Sequence, residues 1–189
     1  VNPGDACLVV TAGTPTLTKA FTAGAIGDGG STTLVFTLTN SGTNPAQSGI
    51  AFADSLPGRL GFTSGPPTVT FGAGCSGSSV VTVGSPDSIA FSAVQMNALT
   101  ASCTITVTGV TNRAAQTNAS CAGLPAAFTN AAASISGVTN VTNGVGPSCL
   151  VVTAGTPTVA KTFGASPIND GATTTLVFTL TNTGSNPAQ

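Results

Sequence analysis

Apolar and polar residues alternate with a period of two along much of this chain. Leu34, Phe36 and Leu38 fall on one side of an extended segment, and Val35, Thr37 and Thr39 on the other. Cys103, Ile105 and Val107 alternate in the same way with Thr104, Thr106 and Thr108. Successive side chains of a strand point to opposite faces, so such runs predict strands with one face buried. Gly, Pro, Asn and Ser interrupt the pattern at short intervals, Thr and Val are frequent, and no stretch has a convincing helical period. The pattern predicts strands over Thr14–Thr22, Thr32–Thr39, Gly49–Asp54, Thr68–Phe71, Val80–Val83, Ser88–Ala93, Cys103–Val110 and Ala127–Ser136.

A long repeat organises the chain. Cys7 to Gln47 and Cys149 to Gln189 align without a gap, with 30 of 41 positions identical and an offset of 149 − 7 = 142 residues. That period is too long for a solenoid unit and suits a whole domain repeated in tandem. Seven or eight strands within one period describe an immunoglobulin-like β-sandwich. The expected organisation is one complete all-β unit over 1–138, with its core from Cys7 to Ser136, then a linker over 139–148. The first two strands of the next unit follow over 149–189. Two strands cannot bury a core alone, so further repeats are expected to complete the second unit.

Composition narrows the chemistry. The 189 residues include no His, Trp, Tyr or Glu, and only 5% are charged, with a net charge of −1. Without His there is no Ser-His-Asp or Cys-His nucleophile pair, so a turnover enzyme is not expected. No cofactor is expected, and no metal, because His ligation is absent and acidic residues are scarce. Asp28-Gly-Gly and Asn169-Asp170-Gly, at matching places in the two units, read as turns rather than calcium loops. Two Lys and two Arg cannot neutralise a phosphate backbone, which excludes nucleic acid as a partner. No apolar run is long enough to span a membrane as a helix. Arg59 and Arg113 read as solvent-facing turn and loop residues. Five cysteines without a CxxC pair point to disulfides and an extracellular or cell-surface setting. Asn118-Ala-Ser and Asn140-Val-Thr match the N-glycosylation sequon, a motif common by chance.

Three strands carry an unexpected polar group on an apolar face. Lys19 lies between Leu17 and Phe21, Asp54 follows Ile50 and Phe52, and Asn130 follows Phe128. Lys161 repeats the device between Val159 and Phe163 in the second unit. Burying an amine or a carboxyl without a partner costs about several kcal/mol. If first and last strands are neighbours, Lys19, Asp54 and Asn130 meet in one pocket. Burial there lowers a lysine pKa and raises an aspartate pKa. A neutral Lys19 amine can attack the Asn130 carboxamide while Asp54 moves protons, leaving an isopeptide bond. The plainer alternative is a buried Lys19–Asp54 ion pair.

The segments LTKAF, FADSLP and FTNAAA, with STTLVFTLTN, NPA and ASCTITVTG, resemble tandem immunoglobulin-like repeats of bacterial and archaeal surface proteins. Those repeats are related to isopeptide-forming pilin and adhesin domains. The resemblance covers most of residues 14–136. It implies Lys19 and Asn130 as bonded partners, Asp54 as catalyst and Lys161 as a crosslinking residue of the next repeat. It also implies a Cys75–Cys103 disulfide. For the remaining cysteines, Cys7–Cys121 within one unit is preferred, with Cys149 paired beyond the chain; the rival is Cys121–Cys149. The expected function is a structural, extracellular fibre or adhesin stalk, whose partners are neighbouring repeats or other copies in a filament. The alternative is a ligand-binding adhesin module. A surface of Thr, Ser and Ala suits lateral association or glycans on Ser and Thr.

Overall fold

The computed structural model describes residues 11–63, 65–113 and 115–182. In chain order its strands are β1 (Thr16–Phe21), β2 (Ala25–Gly27), β3 (Ser31–Thr39), β4 (Gln47–Ser55), β5 (Leu60–Phe62), β6 (Val69–Phe71), β7 (Cys75–Thr82) and β8 (Ser88–Met96). They continue as β9 (Ser102–Asn112), β10 (Thr129–Asn130), β11 (Ile135–Thr139), β12 (Thr142–Asn143), β13 (Ser148–Cys149), β14 (Val151–Thr153), β15 (Thr158–Phe163) and β16 (Leu176–Thr181). The fold is all-β. Its one helical element among the described residues is a 3-10 turn at Ala132–Ser134.

Two sheets face each other. One has the order β12-β1-β3-β9-β5, with β6 also on β9; the other has the order β11-β4-β8-β7. Leu17, Leu34, Phe36, Leu38, Ile105 and Val107 of the first sheet meet Ile50, Phe52, Ile89, Phe91, Val94 and Met96 of the second. Phe36 packs against the rings of Phe52 and Phe91, with centroids 5.4 and 5.2 Å away, and those two rings lie 4.7 Å from each other. The Cys75–Cys103 disulfide ties β7 of one sheet to β9 of the other.

Bulges explain where alternation broke in the sequence. Ser88–Ala93 was expected to end one strand, yet β8 runs on to Met96. Ile50 opposes Val94 while Phe52 opposes Phe91, so β8 carries an extra residue there and Ala93 takes a positive φ of 49°. The bulge restores the inward phase for Val94 and Met96. Gly109, at φ 77°, does the same in β9, keeping both Val107 and Val110 inside.

Other boundaries need correction. The expected strand Ala127–Ser136 is broken: β10 ends at Asn130, and Ala132 is exposed in the 3-10 turn. The expected linker 139–148 is part of the fold. Thr142 and Asn143 run parallel to Thr16 and Leu17, and Val141 and Val145 are buried. The first unit also extends past 138, because β13 pairs with β10 and β14 pairs in parallel with β2. Beyond it, β15 and β16 form a hairpin in the register of β1 and β3, with Lys161 opposite Phe178 as Lys19 is opposite Phe36. Every residue of that hairpin's strands is exposed.

The interlocked rings carry a stability expectation. Phe52→Ala empties a site at the centre of the core and should cost about 3–5 kcal/mol. Val80→Ala, at an exposed position of β7, should change stability by no more than about 0.5 kcal/mol. Urea unfolding under non-reducing conditions measures both.

Candidate functional site

The polar interruptions on three strands converge. β1 sits between β12 and β3, and its inward face presents Leu17, Lys19 and Phe21. β4 is central in the facing sheet, where Asp54 lies opposite Ile89 of β8 and Ile135 of β11. Asn130 stands on β10, paired with Ser148 of β13. The turn before it is held by Phe128 N–H donating to the Pro125 carbonyl at 2.9 Å and by Thr129 Oγ1 donating to the same carbonyl at 2.9 Å.

Lys19 Nζ donates to Asp54 Oδ1 at 2.5 Å and to Asn130 Oδ1 at 2.6 Å. Asn130 Nδ2 donates to Asp54 Oδ2 at 2.7 Å. The three groups form a closed ring of hydrogen bonds, and Asp54 and Asn130 are fully buried. Burial pushes the Lys19 amine below its ordinary pKa, against the opposing pull of the Asp54 charge and hydrogen bond. Burial likewise raises the Asp54 carboxyl, opposed by Lys19 and by the Asn130 hydrogen bond. Desolvation thus drives both groups toward their neutral forms. One carboxyl oxygen faces the amine nitrogen and the other faces the carboxamide nitrogen. Such a carboxyl can accept a proton from one nitrogen and deliver one to the other.

The remaining expected sites fare unevenly. Cys75 and Cys103 are bonded, with Cα atoms 5.8 Å apart. Cys121 is bonded to Cys149, also at 5.8 Å. This corrects both the Cys7–Cys121 pairing and the placement of a Cys149 partner beyond the chain. The physical reason is that the chain after Asn143 runs on beside β1 and delivers Cys149 to β10 and the 118–121 loop. Cys7 lies outside the described residues. Lys161 is exposed on β15, and among the described residues no aspartate or asparagine side chain is hydrogen-bonded to it as Asp54 and Asn130 are to Lys19.

Asn118 does not stand free as a glycan acceptor. Its half-buried side chain donates to the Leu150 carbonyl at 3.0 Å, and its backbone bridges to Val152. Asn140 is exposed, with its amide 3.3 Å from the Ser48 carbonyl and 3.2 Å from that of Gly49. Asp28 belongs to a turn: Asn112 donates to its carboxylate and accepts from Gly29 N–H at 2.9 Å. No cluster of three metal-ligating side chains occurs among the described residues. No helix among them is long and apolar enough to cross a membrane.

Two features escaped the sequence. Asp87, almost fully buried, accepts from Phe62 N–H at 2.7 Å and Gly84 N–H at 2.8 Å. Arg113, expected in solvent, instead lies 3.3 Å from Asp87 and donates to the Gly84 carbonyl at 2.8 Å. The other is the seat of Leu150 and Val152, both fully buried against the first unit. Its signal was present as the apolar run LVV, but the repeat assigned that run to the second unit.

The cluster makes stability respond to pH once the amine is removed. In Lys19→Met, Asp54 keeps its burial and loses the cation that opposes it, so its pKa is raised further in the folded state. A carboxyl raised in this way stabilises fully below its unfolded value of about 4 and loses that contribution as pH rises through the folded value. Lys19→Met should therefore be more stable near pH 4 than at about pH 8, and Lys19→Met/Asp54→Asn should lack this site's dependence. Urea unfolding of both variants across that range reads the difference.

No curated protein and no solved structure matches the chain. Residues 15–144, which hold both facing sheets and all three clustered side chains, match a family described as a domain of unknown function, DUF7933. That match spans well over half of the 189 residues, and the chain belongs to this family.

Proposed function

We propose that this protein is an extracellular structural module, an immunoglobulin-like unit of a tandem-repeat fibre or adhesin stalk. In this reading it is closed by an intramolecular isopeptide bond between Lys19 and Asn130. The observation that carries it is the buried ring in which Lys19 Nζ lies 2.6 Å from the Asn130 carboxamide oxygen while Asp54 contacts both nitrogens. The neutral amine attacks Asn130 Cγ. Asp54 Oδ1 takes a proton from the attacking nitrogen, and the carboxyl delivers one to Asn130 Nδ2. The C–Nδ2 bond breaks, ammonia leaves, and the carboxyl ends as it began. A fixed geometry in a dry core gives such a reaction a high effective concentration. It happens once in each molecule and is not turnover.

Mechanical logic supports the assignment. Lys19 and Asn130 are separated by 111 residues, so their bond would enclose nearly the whole module and carry tension from β1 directly to β10. Two disulfides fit an oxidising compartment and add two further ties. The repeat of Cys7–Gln47 at Cys149–Gln189 supports a tandem arrangement.

Intact mass of the non-reduced chain tests the bond. The expected mass is that of the sequence less four hydrogens for two disulfides and less one ammonia. Asp54→Ala should lose the disulfide hydrogens only. A wild-type chain that retains its ammonia would falsify the crosslink.

A further inference from the structure

The ten residues Cys7–Thr16 and Cys149–Thr158 are identical, CLVVTAGTPT. The second copy closes the module. Val151–Thr153 lies parallel to Ala25–Gly27, Val151 N–H donates to the Gly24 carbonyl at 2.9 Å, and Asp28 N–H donates to the Thr153 carbonyl at 2.8 Å. Asn118 and Val152 exchange backbone hydrogen bonds of 2.9 and 2.8 Å. Leu150 and Val152 are fully buried, and Cys149 is bonded to Cys121. The described module therefore runs to Thr153, and its last strand is the opening segment of the next sequence repeat. The folding unit is offset from the repeat that alignment draws.

The first copy of the segment has the same cysteine and the same two apolar side chains, Leu8 and Val10, but the described module offers one seat and residues 149–153 fill it. Nor can Cys7–Thr11 take that seat within its own module. Thr142 stands beside Thr16, Ser148 contacts Phe21, and Thr153 pairs with Gly27. Residue 11 would have to lie beside Gly27 while Thr16 stays beside Thr142. Thr16 pairs with Thr39 at one end of β3, and Gly27 bonds Gly30 beside its other end, Ser31. The eight strand steps between those ends, about 3.3 Å each, exceed what the five steps from residue 11 to residue 16 can span at about 3.5 Å each.

We infer that Cys7–Thr11 is the closing strand of another copy of this module, one whose seat is not held by its own 149–153 segment. It would seat between Ala25–Gly27 and Asn118 of that copy and form a disulfide from its Cys7 to the other copy's Cys121. The recognition is strand addition: backbone hydrogen bonds hold the segment, and two pockets select Leu and Val at alternate positions. The disulfide then joins neighbouring modules covalently. This rests on the seat of residues 148–153 and not on the Lys19–Asn130 bond.

The full chain carrying Cys149→Ser tests it. This variant keeps Leu150 and Val152 in place and leaves Cys7 and Cys121 as its reactive thiols. It is held at several concentrations in a thiol–disulfide buffer and digested without reduction. The expected product is an intermolecular Cys7–Cys121 link that grows with concentration. Adding Leu8→Asp should cut the yield by about tenfold or more, because a buried leucine site rejects a carboxylate. Adding Leu150→Asp instead should raise the yield by weakening the resident strand. Should that double variant lose its fold, the single variant and its Leu8→Asp derivative decide the question. In Cys149→Ser/Leu150→Asp, whose seat is open, a Cys7 that stays reduced would overturn the inference, as in either variant would an intramolecular Cys7–Cys121 link or Cys7–Cys7 and Cys121–Cys121 links in like amount. So would a yield indifferent to Leu8→Asp. The ammonia deficit in the same spectra reads the isopeptide bond separately, so either idea can fail alone.

Discussion

An amine, a carboxyl and a carboxamide share one dry pocket between two sheets, and the rest of the fold is arranged so that none lacks a partner. Each is expensive to bury singly. Together they satisfy one another in a ring of three hydrogen bonds. That mutual dependence fixes register. A one-residue slip of β1 would turn Lys19 outward along with Leu17 and Phe21, and would leave the buried Asp54 carboxyl without its amine partner. The cluster therefore selects one alignment of β1 against β3 and one seating of β10 against the facing sheets.

The ends of the module are handled differently from its centre. The centre is held by close packing of Phe36, Phe52 and Phe91. The edges are held by covalent ties: Cys75–Cys103 joins the two sheets, and Cys121–Cys149 fastens the closing strand beside β10. With only nine charged residues in 189, surface ion pairs can contribute little, and such pairs are weak in any case. Asp87 is the main exception. It is a buried acceptor that organises the Phe62 and Gly84 backbone, and Arg113 reaches it from the surface.

Where alternation was unbroken, the sequence could be read directly. β1, β3 and β9 as far as Val107 appear nearly as their Leu, Phe, Ile and Thr patterns imply, and Lys19, Asp54 and Asn130 stood out because each fell on an apolar face. Three physical effects hid the rest. Bulges at Ala93 and Gly109 shift the phase of β8 and β9, and no propensity announces them. The Ser/Gly stretch of β7 lacks apolar markers because much of that edge strand faces solvent. The third effect concerns ownership. Leu150 and Val152 carry the signature of a buried strand, but local sequence does not say which core buries them. Repeat alignment gave them to the following unit, and with them the pairing of Cys121 was misassigned.

The cluster's chemistry and the module's mechanical role meet in a single covalent question: whether Lys19 and Asn130 are joined. Tandem mass spectrometry of a digest answers it most directly, since it locates the bond as well as detecting it. The expected product is a branched peptide in which the segment around Lys19 is linked through its ε-nitrogen to the Asn130 side chain, lighter by one ammonia. Separate linear peptides bearing an unmodified Lys19 and an unmodified Asn130 would contradict it.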